Sequence, residues 1–252
     1  MESWAELILE DRFRMGIRDI LKRHKWIVIV IAVALVVFLL MQMMGGNRTV
    51  IISGMLLNHD PGVSEDTTSE VEMAFLADLQ IEDKAADVVL LTDWNYVADD
   101  EEKADDNYYT IQALTMYTQE SVLDFVTGDQ QNMLQLAYGD FFVDLSAVLS
   151  AEQMQCYAPY LRYIDMAVIE EARELDNEDM MAIINGEMTE FPDCTKPEQM
   201  EKPTPVFIDI SECSKITAFY SENNESLLFA VMQNAPEPDA VPQWLDFIMG
   251  QE

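Results

Sequence analysis

The sequence predicts an α/β protein: an N-terminal transmembrane helix followed by one exported three-layer domain with a mostly parallel sheet. An apolar run at 26–46 carries no charged side chain. After it, apolar strand-like segments alternate with amphipathic helix-like segments, a pattern typical of parallel strands joined by right-handed crossovers. Residues 47–252 suit one domain that buries a sizeable core. We therefore divide the chain into 1–25, 26–46 and 47–252.

The run 26–46 is long enough to cross a membrane. About 20 helical residues, each rising about 1.5 Å, span a hydrocarbon core of about 30 Å. The run exceeds the apolar part of a signal peptide, about 7 to 15 residues, and 41–47 contains no small-x-small cleavage site. We therefore expect an uncleaved anchor.

Basic residues around the anchor predict its orientation. Six lysines and arginines precede it, whereas Arg48 is the one basic residue between it and Lys84. The positive-inside rule then places 1–25 in the cytosol as a basic lead-in and 47–252 outside the cell membrane. A short helix at 4–22 could lead into the span or contact a membrane-protein partner.

The exported part is strongly acidic, with 42 acidic and eight basic residues after position 46. Nucleic acid and anionic lipid headgroups need a basic surface on their partner. We therefore exclude nucleic acid as a partner and interpret most of the acid as a solvated surface.

Three cysteines follow the span: Cys156, Cys194 and Cys213. They form no CxxC motif and have no nearby histidine, so we predict neither a metal site nor a cofactor. One disulfide is permitted outside the cytosol, and Cys194 with Cys213 is the first choice among three pairings. The oxygen-rich segment 176–179 lacks the spacing and glycine of a calcium loop.

Apolar runs and helical spacing locate the elements of the exported domain. The predicted strands are 49–57, 87–92, 121–127, 205–210 and 227–232. The predicted helices are 64–79, 107–120, 129–138 and 239–249.

The remaining segments complete the predicted order. The charge run 98–107 indicates a solvated loop. Ser150 and Gln153 have capping-box spacing, which predicts a helix running toward Tyr163. Residues 164–188 are mostly helical in pattern, and 189–205 indicates an irregular connection.

Two segments resemble type 2 extracellular solute-binding proteins. The first segment, at 121–149, reads SVLDFVTGDQQNMLQLAYGDFFVDLSAVL. It is similar to a family segment in which a strand ending near Asp is followed by a helix, a Gly and a final "dL..vL" motif. The second segment, at 227–249, reads LLFAVMQNAPEPDAVPQWLDFIM. It is similar to the late strand, Asn-x-Pro turn and helix of that family. The resemblance implies a solute-binding lobe.

Members of that family normally close two lobes over a ligand, and a lipidated cysteine commonly anchors them to the membrane. This chain has room for one lobe and a partial second, and its predicted anchor is a helix. The resemblance therefore implies a shortened, membrane-anchored form and leaves a transport role open.

Polar residues follow three predicted strands at one edge of the predicted sheet. Ligands of open parallel sheets bind outside the carboxyl ends of strands. Trp94, flanked by Asp93 and Asn95, has the chemistry to stack on and hydrogen-bond a polar solute; the alternative is a buried tryptophan with two turn-forming neighbours. The predicted ligand-binding residues are Asp93, Trp94, Asn95, Thr127 and Asp129.

The sequence contains no GxSxG, SxxK, HExxH, GxGxxG or GxxxxGK(S/T) motif, and His59 is the single histidine after the predicted span. We expect a non-catalytic domain that binds or senses a small polar solute or a partner protein. One alternative is a structural accessory subunit of a membrane complex. The other is a hydrolase, which would need His59 or two specific carboxylates in a cleft.

Overall fold

A six-stranded sheet organises the part of the chain that the computed structural model describes, namely 49–83, 85–98, 101–174, 191–220 and 226–250. The predicted lead-in 1–25 and the predicted span 26–46 lie outside the described residues, as does the segment 176–179. Within the described ranges, every helix is too short or too polar to cross a bilayer.

The strands and helices of these ranges alternate along much of the chain. The strands are β1 (Thr49–Leu56), β2 (Ala86–Leu91), β3 (Phe125–Asp129), β4 (Leu161–Asp165), β5 (Pro203–Asp209) and β6 (Leu227–Val231). The helices are α1 (Glu65–Asp78), α2 (Ala104–Glu120), α3 (Gln130–Tyr138), α4 (Ala151–Cys156), α5 (Met166–Glu174), α6 (Ser214–Thr217) and α7 (Val241–Met249).

The α/β class is confirmed, and the sheet is mixed. Its strand order is β2-β1-β3-β6-β5-β4. β1 pairs in parallel with β2 and β3, whereas the β3–β6, β6–β5 and β5–β4 pairs are antiparallel. The expected mostly parallel arrangement therefore holds for the β2-β1-β3 half. Buried strands of either direction carry the same apolar pattern, so the pattern could not reveal the antiparallel half.

Helices cover both faces of the sheet, which gives three layers. Successive residues of a strand point to opposite faces, and in β6 Phe229 faces one core while Leu228 and Ala230 face the other. The first core packs α1 and α7 against the sheet, and the second packs α2 and α3.

An aromatic stack fills the centre of the first core. The ring of Phe125 lies 5.0 Å from that of Phe229 and 5.3 Å from that of Trp244, centroid to centroid. Trp244 meets Phe75 of α1 edge-on at 4.9 Å. Gly54 of β1 makes room for the stack, since a Cβ there would lie 2.0 Å from the Phe125 ring.

A buried carboxylate joins segments that are distant in sequence. Asp124, 0% exposed, accepts hydrogen bonds from Ser53 N and Oγ at 2.7 and 3.0 Å and from Glu237 N at 2.7 Å. Burial raises the pKa of Asp124, and these hydrogen bonds partly oppose the rise. The third strand begins at Phe125 and not at the predicted residue 121, because Ser121 ends the preceding helix in a left-handed conformation with φ of 50°.

Two other boundaries differ from the sequence prediction. The predicted loop 98–107 already contains a 3₁₀ turn and the start of α2 at Ala104. Asp105 and Asp106 occupy the first turn of α2, where carboxylates interact favourably with the helix dipole. The acidic run therefore begins a helix.

The helix predicted to run toward Tyr163 is wrong in its length. The capping box of Ser150 and Gln153 is present, but α4 ends at Cys156. Pro159 then lies in a short 3₁₀ turn, and the next residues form β4, which includes the first two positions of the predicted helical region 164–188. Proline cannot donate a helical hydrogen bond, which favours the end of the helix here.

We predict that Gly54→Ala destabilises the domain. The new methyl group would overlap the Phe125 ring, which cannot retreat because Phe229 and Trp244 pack against it. The free energy of unfolding, measured by urea denaturation of a 47–252 fragment, should fall by about 1–3 kcal/mol. Gly62→Ala is the matched control, because an added Cβ meets only the Asp60 carboxylate there. Equal stability of the two variants would refute the tight packing.

Candidate functional site

The carboxyl ends of β1, β2, β3 and β5 lie at one edge of the sheet, beside the starts of β4 and β6. This is the edge at which open α/β sheets bind ligands. This edge has two parts. The first comprises the carboxyl ends of β2, β1 and β3, where the sequence predicts a site. The second comprises the carboxyl end of β5 and the start of β4.

Asn58 connects the two loops that leave β1 and β2. Its side-chain amide donates to Tyr96 O at 2.6 Å and accepts from Tyr96 N at 2.8 Å. It also lies 3.4 Å from Oδ2 of Asp129. The φ of Asn58 is 56°, a left-handed conformation that asparagine tolerates better than most residues.

Asp129 lies just before the first residue of α3, and both of its carboxylate oxygens accept hydrogen bonds. Oδ1 accepts from Asn132 N at 3.1 Å and Oδ2 from Asn132 Nδ2 at 2.5 Å. Asn132 Oδ1 in turn accepts from Ala98 N at 2.8 Å. These bonds hold the loop after β2 against the start of α3, so much of Asp129 has a structural task.

Thr127 lies in the interior at this edge. It is 0% exposed, and its hydroxyl is 2.7 Å from Tyr220 Oη. Desolvation raises the pKa of Tyr220, so the phenol stays protonated at neutral pH. Phe219 O accepts from Asp60 N at 2.8 Å, and the 219–220 segment therefore covers the ends of β1 and β3.

The other three predicted residues form the loop after β2. Asp93 and Asn95 are exposed, and Trp94 is half-buried with its ring edge-on to Tyr117 at 6.2 Å. Asn58 N donates to Trp94 O at 3.0 Å. The structure thus links this loop to Asp129 through Asn58, while Thr127 is engaged with Tyr220 instead.

A cleft of about 460 Å³ opens at the other part of the edge. It lies between the end of β5, the turn before β4, α6 and the end of α7. Its polar wall includes Arg162, Asp209 and Lys215, and its apolar wall includes Pro159 and Ile248. The volume lies within the range of about 300–1,000 Å³ that is usual for small-molecule sites.

An ion pair forms one wall of this cleft. Arg162 Nη2 lies 2.5 Å from Asp209 Oδ2, and both side chains are less than a fifth exposed. Asp209 Oδ1 also accepts from Ser211 N at 3.0 Å and Oγ at 2.6 Å. Ser211 Oγ accepts from Leu227 N at 2.9 Å, so the pair is held by β4, β5 and β6 together.

Lys215 supplies a second cation at the end of α7. Its ammonium lies 3.7 Å from the centroid of the Phe247 ring and donates to the Phe247 carbonyl oxygen. The last carbonyls of a helix have no partner within the helix and favour a nearby cation. This contact places a positive group at the mouth of the cleft beside Gly250.

The lining has a definite chemical character. Two cations, Arg162 and Lys215, are matched by two carboxylates, Asp209 and Glu212. Such a lining suits a polar molecule without a large net charge. Within the described ranges no three His, Cys, Asp or Glu side chains are grouped so as to hold a metal ion. His59 does not line the cleft, so the hydrolase alternative would rest there on the carboxylates.

Sequence reasoning missed this cleft. Its residues come from 159–162, 209–215 and 248–250, which no local motif connects. Arg162 also fell inside a predicted helix. One sequence signal was available, namely that only eight basic residues follow position 46; two of them, Arg162 and Lys215, line this cleft.

The cysteine prediction is corrected by the fold. None of the three cysteines forms a disulfide. Cys194 belongs to one core and Cys213 to the other, so the sheet separates the expected pair. Burial raises the pKa of Cys213 to about 11, and it also raises the pKa of Cys194. Cys156 is exposed.

Comparison of the chain with protein-family models, with curated proteins and with solved structures finds no match.

We predict that one thiol of the folded chain reacts quickly with iodoacetamide at pH 7.5. The thiolate is the reactive form, and burial withholds both access and ionisation from Cys194 and Cys213. Mass spectrometry of the 47–252 fragment should show Cys156 alkylated first and the other two only in urea. Rapid loss of all three thiols without denaturant, or a Cys194–Cys213 disulfide, would contradict this structure.

Proposed function

We propose that this chain is a single-pass cell-membrane protein whose extracytoplasmic domain is a non-catalytic binding or sensing domain for a small polar solute. Residues 1–25 are the cytosolic lead-in, 26–46 the span and 47–252 the binding domain. The observation that carries the proposal is the cleft at the carboxyl end of β5 with the Arg162–Asp209 pair in its wall.

The ion pair makes the cleft suitable for polar recognition. Arg162 Nη1 donates to Leu161 O at 2.9 Å, and Asp209 is bonded to Ser211, so both charged groups are held in place before a solute arrives. Preorganised polar groups reduce the entropic cost of binding. The apolar side of the cleft adds contact area without fixing the orientation of the solute.

The resemblance of 121–149 and 227–249 to type 2 extracellular solute-binding proteins supports the same proposal. That resemblance implies a solute-binding lobe, and open α/β sheets bind ligands at the carboxyl ends of their strands. In this chain the binding domain is a single lobe, and the loop carrying Asp93, Trp94 and Asn95, with Asp129 beside it, is the second place on this edge where a solute could contact the protein.

A structural accessory subunit of a membrane complex is the second candidate function. The specific observation in its favour is the outer side of α2, where large uncharged side chains are exposed. Solute binding and assembly use different surfaces and can be tested separately.

We predict that filling the cleft removes solute binding. Isothermal titration calorimetry of the 47–252 fragment with panels of amino acids, sugars and polyols should show a saturable heat with at least one solute. Ser214→Tyr puts a ring into the cleft from an exposed position of α6 and should abolish that heat. Gln119→Tyr, on exposed α2, is the matched control and should bind normally. Absence of heat with every solute, or binding unaffected by Ser214→Tyr, would refute the cleft as the site.

We predict that the two ends of the chain lie on opposite sides of the membrane. A membrane-impermeant maleimide added to spheroplasts should label the exposed Cys156. In the variant Ser3→Cys/Cys156→Ser, residue 3 should become labelled only after detergent treatment. The reverse pattern, or labelling of both sites without detergent, would exclude the proposed topology.

A further inference from the structure

The outer side of α2 exposes three large side chains. Tyr108, Tyr109 and Met116 are 59%, 63% and 60% exposed. On the inner side of the same helix Ala113 is buried, and Leu114 packs in the second core. Positions 109 and 116 are seven residues apart, about two turns, so they lie on one side of the helix. We call Tyr108, Tyr109, Gln112 and Met116 the α2 face.

The α2 face carries no charge, and neither does any residue from 107 to 119. An exposed helix normally places charged residues on its solvent side. This departure is marked in a domain with 42 acidic residues and eight basic ones. Solubility, which accounts for the acid elsewhere, therefore does not account for the composition here.

Three side chains of the α2 face, Tyr108, Tyr109 and Gln112, contact one another. The Tyr108 and Tyr109 rings meet at 5.8 Å, centroid to centroid, in an edge-on arrangement. Gln112 Nε2 donates to Tyr108 Oη at 2.6 Å. Tyrosine and methionine are enriched in the centres of protein interfaces, and an ordered side chain loses less entropy on binding. The face has the composition and the order of an interface centre.

Acidic residues border the α2 face at both ends. Asp105 and Asp106 precede it in the first turn of the helix, where Asp106 also pairs with Lys103 at 3.7 Å, and Glu120 ends the helix. A second copy of the chain would place carboxylates against carboxylates, which is unfavourable. A partner with lysine and arginine around its contact surface would gain favourable electrostatic interactions instead. The borders thus indicate a basic partner.

We propose that the α2 face is a docking surface for a different protein, one that presents an uncharged centre with hydrogen-bonding groups and a rim of lysine and arginine. The central contacts are Tyr109 and Met116, and the acidic ends of α2 pair with the basic rim. This surface belongs to the side of the sheet covered by the second core, and docking there does not depend on the solute cleft.

Site-specific photo-crosslinking of the full chain in its own membranes tests the proposal. The photoreactive amino acid p-benzoylphenylalanine replaces Met116, or in a matched control Met73, which is 62% exposed on α1 at the opposite face of the sheet. We expect an adduct with one other protein from position 116 and none from position 73. The crosslinked region of that protein should carry lysine and arginine, and reversing their charge should abolish the adduct.

Two further measurements keep the test decisive. Tyr109→Ala in the chain carrying the probe at 116 should reduce the adduct about tenfold or more, since central aromatic residues dominate interface energies. Raising NaCl from about 0.05 to about 0.5 M should also reduce it, because salt screens the charged rim. Ser214→Tyr should leave it unchanged, which separates docking from solute binding.

The opposing outcomes are equally clear. An adduct with a second copy of this chain would overturn the proposal in favour of self-association. Equal adducts from positions 116 and 73, no adduct from either, or an adduct insensitive to both Tyr109→Ala and salt would overturn docking at the α2 face.

Discussion

The hydrogen bonds of Asp124 are the constraint on which the rest of the domain depends. This carboxylate has no access to water, and burial of an unpaired carboxylate would be very costly. Its oxygens are satisfied by Ser53 in β1 and Glu237 in the turn after β6. Its own carbonyl accepts from Met232 N at 2.8 Å. One residue thus ties the segment that follows β6 to β1, beside the register pairs that join β3 and β6.

The cleft follows from that placement. Because β3 already pairs with β1 and β6, β5 pairs with the other side of β6, and β4 is the outermost strand on that side. The turn after β6 also directs α7 across the first core, where Trp244 packs on Phe125. The ends of β5 and α7 then face each other across the space that Arg162 and Lys215 line. The hydrogen bonds of Asp124, just before the start of β3, thereby help to shape the cleft at the carboxyl ends of the strands.

The sequence predicted the α/β class and five of the six strands in the described residues, because apolar runs reveal burial directly. It missed β4, whose LRYID mixes charged and apolar residues, and it could not supply strand direction, which depends on distant pairing. The predicted site residues lie at the carboxyl ends of the strands, yet Thr127 and Asp129 are used in internal bonds to Tyr220 and Asn132. The same kinds of polar residue serve internal hydrogen bonds and ligand binding. The local sequence pattern therefore does not show which of the two uses a given residue has.

The central position of β6 also governs how the domain can be made. All five of its residues are buried, and it is the last strand of the described chain to emerge during synthesis. Until it arrives, β3 presents an unpaired edge and β5 has no neighbour on one side, so the two halves of the sheet stay apart. Non-local pairing of this kind folds slowly. In the proposed topology, where residues after 46 cross the membrane in chain order, the domain would therefore remain open, and vulnerable to proteases and to strand exchange, until translocation is almost complete.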